Sequence, residues 1–187
     1  MSFDLLKIVK ELDFERLAGT ENEATAAAVI TGHLDRMGLD YRLAPFELTT
    51  FDTGIGTLEV GSHKLPLHPY GLCSGTEIEG ELAYLENPDA LRHCTGRFKD
   101  KILLTCGSTR EMAKLLEENG IKGFICTGSP FREAHSLSHR QCDFEKTIVP
   151  GATIKHDDAL VLPELSGQPC RMVIKQASRA EIGRAHV

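Results

Sequence analysis

Two apolar runs, Lys101-Ile102-Leu103-Leu104-Thr105-Cys106 and Ile121-Lys122-Gly123-Phe124-Ile125-Cys126, flank a segment of helical periodicity and constrain the fold more than any other feature. A run that is apolar at consecutive positions has both faces covered, as in a strand inside a parallel sheet. Between the runs, Ser108 and Glu111 have the spacing of a capping pair, and Met112, Leu115 and Leu116 mark a buried stripe. Asn119-Gly120 supplies the stop. Strand, helix and strand so close together predict a βαβ unit with parallel strands and a right-handed crossover. The fold class is therefore α/β, in an α+β mixture.

Two helices precede it. Leu5, Ile8, Val9 and Leu12 form one stripe, with Ser2 as cap and Asp4 in the first turn. The second helix opens on the Thr20/Glu23 capping box, carries Ala27, Ile30, Leu34 and Met37, and stops at Gly38. From Leu39 the period becomes two, through Tyr41, Leu43, Phe46 and Leu48, as in a strand interrupted near Pro45. Thr57 to Val60 and Lys64 to Leu67, joined by Gly61-Ser62, read as a hairpin and a crossing into a new domain. Glu81 to Leu85 reads as a strand, residues 128 to 146 as an excursion loop, and Thr147 to Ile154 as an extended piece. One or two helical turns follow over Asp157 to Leu165, with a last strand over Cys170 to Ile174.

With 41% apolar and 26% charged residues the chain is a soluble globular type, and 21 Lys and Arg against 27 Asp and Glu leave a net charge of −6. No run of one sign makes a track for phosphates, so nucleic acid is not an expected partner. No stretch reaches the roughly 18 apolar residues of a membrane span, and no basic-then-apolar leader opens the chain. A cytoplasmic protein with no membrane partner is the expectation. The cysteines Cys73, Cys94, Cys106, Cys126, Cys142 and Cys170 lack any Cys-x-x-Cys pair and read as reduced structural thiols.

Several segments together carry a resemblance. Arg16-Leu17-Ala18-Gly19-Thr20-Glu21-Asn22-Glu23, the Ala-rich helix, Met37-Gly38-Leu39 and the strand ending at Phe46 resemble the amino-terminal part of two-zinc aminopeptidases. Gly80 to Tyr84, Phe98 to Leu104, Asn119 to Ile125 and Val149 to Ile154 resemble a protease-associated domain, which that family inserts after its first strands. The resemblance implies an amino-terminal part of a peptidase domain over 1–51, a crossing over 52–69, a protease-associated domain over 70–168 and a return strand over 169–180. It implies a zinc-dependent aminopeptidase as parent, with two zinc ions, acting on peptides. Such chemistry needs carboxylate and imidazole ligands around two ions about 3.5 to 4 Å apart. None of the family's ligand segments is found here, so the chain itself is expected to hold no catalytic residue, cofactor or metal.

Residues 181–187, Glu181-Ile182-Gly183-Arg184-Ala185-His186-Val187, are what GAG ATC GGA AGA GCA CAC GTC would encode, a string resembling a common sequencing adapter. An adapter-derived tail is expected to be disordered, and His186 is discarded as a ligand.

His135, His139 and Cys142 have the i, i+4, i+7 spacing of metal ligands on one helical face. Ser136, Leu137 and Ser138 are weak helix formers, and no Glu follows the first His as in a zincin, so a solvated loop is the preferred reading. His63, His68, His93 and His156 lie beside turns and read as surface residues. Asp157-Asp158 with Glu164, and Glu117-Glu118, do not converge, because adjacent helical residues point to different faces. Ser108 lacks the nucleophile elbow, and Gly54-Ile55-Gly56 lies outside any strand-to-helix turn. Two other functions compete with the peptidase fragment: a stand-alone peptide- or partner-binding module, and a small α/β enzyme using the His135, His139 and Cys142 cluster.

Overall fold

The computed structural model describes residues 5–51, 54–71, 75–107, 109, 111–127, 149–176 and 178–186. The chain divides into two compact units, one of Met1–Thr50 with Arg179–Val187 and the other of Phe51–Ser178.

In the first unit, α1 spans Leu5–Glu11 and α2 spans Glu21–Met37. The Thr20 hydroxyl accepts the Glu23 N–H at 3.3 Å, as the capping spacing predicts. The reciprocal half of the box is not made: the Thr20 N–H goes to the Leu17 carbonyl, and Glu23 Oε2 is buried without a partner. At the other end Gly38 has φ of 66°, where only glycine is free of Cβ strain, and its N–H returns to Asp35. Strands β1 (Leu43–Phe51) and β9 (Ser178–His186) form a two-stranded sheet. Residues 181–186, expected to be disordered, are thus part of a strand; the neighbouring strand supplies backbone partners whatever the side-chain pattern.

The second unit is a closed barrel of seven strands: β2 (Ile55–Val60), β3 (His63–Pro69), β4 (Thr76–Leu85), β5 (Ile102–Cys106), β6 (Gly123–Thr127), β7 (Gly151–Ile154) and β8 (Pro169–Lys175). Their order around the barrel is β2-β3-β7-β6-β5-β4-β8. β4, β5, β6 and β7 are parallel, and β8 closes the ring by pairing antiparallel with β2 and β4. The predicted βαβ unit is present, with β5 and β6 joined through α3 (Met112–Glu118). β2 and β3 pair as the hairpin expected over Thr57 to Leu67, and within the stretches assigned to a crossing (52–69) and a return strand (169–180) the strands β2, β3 and β8 are staves of the barrel, β2 pairing with β8 from Ile55↔Lys175 to Val60↔Cys170. The helical turns after β7 are α4 (His156–Ala159) and a 3-10 turn, Leu162–Leu165.

Alternate residues of the staves fill the interior: Leu58, Leu82, Leu104, Ile125, Ile154 and Met172 are all fully buried. Each such side chain contributes about 1.5–3 kcal/mol relative to exposure. The outward residues of β5 and β6, Leu103 and Phe124, pack in a second core with Met112, Leu115 and Leu116 of α3 and with Leu91 from the 3-10 turn Pro88–His93. Burial on both faces explains why these two strands read as continuous apolar runs.

The outer face of β2, β8 and β4 is polar. Arg171 donates to Glu77 at 2.7 and 2.9 Å and to Glu59 at 3.4 Å, and Lys64 sits 2.8 Å from Glu59. The Lys64 hydrogen bond, with Arg171 behind it, holds the Glu59 carboxyl below its ordinary value of 4.5. A lowered carboxylate stabilises the fold above the unfolded value and loses that contribution as pH falls through the folded one. Glu59→Gln is therefore expected to flatten the acid limb of the urea midpoint measured from pH 7 down to below 4, with the difference from wild type vanishing at the lowest pH.

Candidate functional site

The carboxyl ends of parallel strands are where α/β sheets place their chemistry. Here that edge brings together Tyr84 near the end of β4 and Cys106 at the end of β5, with the tyrosine hydroxyl 3.5 Å from the thiol. The Cys106 hydrogen bond, then burial and the charges of Cys106 and Glu86, push the Tyr84 hydroxyl up to about 12. It stays protonated at neutral pH and is no base. One residue back, the Thr105 hydroxyl donates to the Gly107 carbonyl at 2.7 Å and lies 3.5 Å from Cys126 Sγ. Thr105 pairs with Cys126, and Cys106 with Thr127, so Cys106 and Cys126 point to opposite faces and do not face each other across the strands. Beyond the edge, Thr109 donates to Asp89 at 2.8 Å, while Arg92 binds Glu111 and lies 3.6 Å from Asp89. These contacts tie the 3-10 turn to the start of α3 and engage the Asp89 and Glu111 carboxylates.

A second place is an open depression of about 650 Å³ on the polar barrel face, lined by Glu59, Glu79, Lys122, Cys170 and Arg171 among others. Arg171 and Lys64 already neutralise Glu59, and Lys122 donates to the Glu79 carbonyl at 3.3 Å. Burial, and then the charge of Glu81, push the Cys170 thiol up to about 11. A protonated, buried thiol is a poor nucleophile.

The residues singled out in the sequence disperse. His135, His139, Cys142, Cys73 and Ser108 lie outside the described residues. His63 begins β3, His68 pairs with Thr153, His93 ends the 3-10 turn and His156 opens α4. Glu117 and Glu118 are exposed, Glu118 pairing with Lys114 at 3.7 Å; Asp157 and Asp158 lie on α4 and Glu164 in the following 3-10 turn. Gly56 sits where a Cβ would press on Leu67 and on the Val173 carbonyl, so its role is close strand packing. The pattern reading missed His33, which binds Glu11 at 2.7 Å and links α2 to α1. A pair 22 positions apart leaves no mark on either helical stripe.

Among the described residues no three His, Cys, Asp or Glu side chains are placed to hold a metal ion. They do not fit a two-zinc centre, and no hydrolytic step is derived from them. No described helix is long and apolar enough to cross a membrane.

Neither a comparison with protein-family models nor one with curated proteins finds a match. Solved structures do match. The aminopeptidase of Aneurinibacillus sp. strain AM-1 aligns with 97% of this chain at 16% identity and a TM-score of 0.66, over 45% of its own length. The zinc aminopeptidase BSAP of Bacillus subtilis aligns with 96% at 19% identity and a TM-score of 0.68, over 44% of its length. The Peptidase M28 precursor of Shewanella amazonensis SB2B aligns with 96% at 18% identity and a TM-score of 0.71, over 48% of its length. The chain thus spans less than half the length of these structures, and over that span it shares the fold of these aminopeptidase and peptidase structures.

Proposed function

We propose that this chain is the amino-terminal part of a zinc-dependent aminopeptidase, in which the barrel unit is an inserted protease-associated domain and the two-zinc centre belongs to the remainder of the parent. The observation that carries this reading is the alignment of nearly the whole chain with aminopeptidase and peptidase structures, across both of its units. The barrel buries two apolar cores and its polar groups pair with one another, which suits a supporting module beside an active site better than a reaction centre. On this reading the parent removes amino-terminal residues from peptides in the cytoplasm. The free thiols of Cys94, Cys106 and Cys170 are compatible with such a reducing compartment.

The direct test is hydrolysis of amino-acid anilides by the purified 187-residue chain, with and without added zinc. No turnover is expected in either condition. Metal-dependent turnover that copurifies with the chain would place a reaction centre within it and remove the fragment reading.

A further inference from the structure

The chain contains three asparagines, Asn22, Asn87 and Asn119. An asparagine is chemically labile when the backbone nitrogen that follows it can close a five-membered ring on the side-chain carbon Cγ and expel ammonia. That nitrogen must carry a proton it can lose and must be unhindered. Pro88 has no N–H, which removes Asn87 from this chemistry, and the Glu23 side chain hinders the nitrogen that follows Asn22. Asn119 is followed by Gly120, which has no side chain to hinder the attack. The fold needs glycine there: Gly120 has φ of 64°, and a Cβ would lie 3.2 Å from Lys99 Cγ. The stop that ends α3 thus requires the residue that makes the Asn119 linkage labile.

The closed structure holds the reacting groups back. The Gly120 N–H donates to the Glu117 carbonyl at 3.0 Å, and the Asn119 amide donates to the carbonyls of Leu115 at 2.8 Å and Leu91 at 3.4 Å. Asn119 is 3% exposed, which keeps out the base that would take the Gly120 proton. Its Oδ1 is buried with no partner among the described residues, so nothing donates to the negative oxygen that ring closure would create.

We propose that Asn119-Gly120 is a deamidation site gated by opening of the carboxyl end of α3, so that the reaction marks molecules that have opened and prevents their closing. Once the turn opens, hydroxide takes the Gly120 amide proton and the nitrogen bonds to Asn119 Cγ. The Cγ–Nδ2 bond breaks, and Nδ2 leaves as ammonia with a proton from water. Water then adds to one of the two carbonyls of the ring, and the ring opens to aspartate or isoaspartate at position 119. Aspartate sets carboxylate oxygens against the Leu115 and Leu91 carbonyls. Isoaspartate also adds a methylene to the backbone immediately before Gly120. Three bonds follow within three residues: Gly120 accepts from Asp100 at 2.9 Å, Ile121 donates to Leu116 at 3.1 Å and Lys122 donates to Lys101 at 2.9 Å. The longer backbone displaces this approach to β6, whose register on β5 starts at Ile102↔Gly123. The inference is independent of the aminopeptidase reading.

Ageing the 187-residue chain at neutral pH over a urea series, with peptide mapping of aspartate and isoaspartate, tests this. In denaturing urea Asn119 should convert while Asn22 and Asn87 persist. Without urea its conversion should be slower by roughly tenfold or more, and should rise with the open fraction along the series. Leu115→Ala, which removes a buried side chain from α3, should raise the rate without urea severalfold. Chains deamidated in urea and returned to buffer should exchange the amides of Leu115 to Ile121 faster than unmodified chains do. An Asn119 that stays intact in denaturant would remove the site. Equal rates with and without urea, or a Leu115→Ala chain no faster than wild type, would remove the gate. Exchange as slow in the deamidated chain as in the unmodified one would show that closing is not prevented, and would overturn the proposal as well.

Discussion

Replacing Phe124 with alanine is expected to cost about 3–5 kcal/mol, the range for a fully buried aromatic ring. The ring is inaccessible to solvent, stacks on Tyr70 at 5.3 Å between centroids and belongs to the core under α3. For a unit of this size that loss lowers the melting temperature by roughly 10–20 °C. The same ring explains Gly151. A Cβ built there falls well inside van der Waals contact with the Phe124 ring, which has no free space to move into. Gly151→Ala should therefore cost about 1–3 kcal/mol by overpacking. In the Phe124→Ala background the added methyl meets a cavity, so the double variant should be more stable than the sum of the singles requires, by on the order of 1 kcal/mol. Denaturation of all four proteins measures the coupling. Strict additivity would mean that the two positions do not share that space.

Asn119→Asp is the second large effect. Asn119 is 3% exposed, and its amide donates to the carbonyls of Leu115 at 2.8 Å and Leu91 at 3.4 Å, joining α3 to the 3-10 turn. Its Oδ1 has no partner. An aspartate there turns both donations into contacts between oxygens and buries an unpaired charge, at a cost of about 3 kcal/mol or more near neutral pH. Burial disfavours the charged form, so the folded-state value of this aspartate is raised above its unfolded value of about 3.9. Its penalty is smallest below the unfolded value and grows as pH rises toward the folded one. Urea midpoints of the variant and wild type should therefore diverge from about pH 4 upward. A constant difference across that range would show that the carboxyl is not buried where the amide was.

What the sequence made legible follows from range. The βαβ unit was readable because β5 and β6 carry consecutive apolar residues, Ile102 to Leu104 and Phe124 to Cys126, and the stop at Asn119-Gly120 is local. Thr20 and Gly38 marked α2 for the same reason. The barrel was not readable: its closure depends on pairings such as Leu58↔Met172 and Ile78↔Met172, between strands far apart in the chain. Outward residues such as Glu59 and Arg171 find each other only once that register exists. The 3-10 turn at Pro88 hid behind Asn87-Pro88, a dipeptide that reads as a plain turn, although Leu91 within it is fully buried. Helix α3 begins at Met112, later than the Ser108/Glu111 spacing suggests, and Glu111 at its N-cap position makes no side-chain cap hydrogen bond. For the site, the carboxylates and histidines looked unrelated in sequence; among the described residues His33 and Glu11 pair at 2.7 Å, and no three such side chains are placed to hold a metal ion.

The fragment reading is tested most directly by the sequence of the source locus beyond codon 180. The account predicts that the frame continues from Ser178-Arg179 into a strand, the position β9 occupies, and soon afterwards into a His and Asp segment able to supply the first zinc ligands. An authentic stop codon directly after Val187 would contradict it.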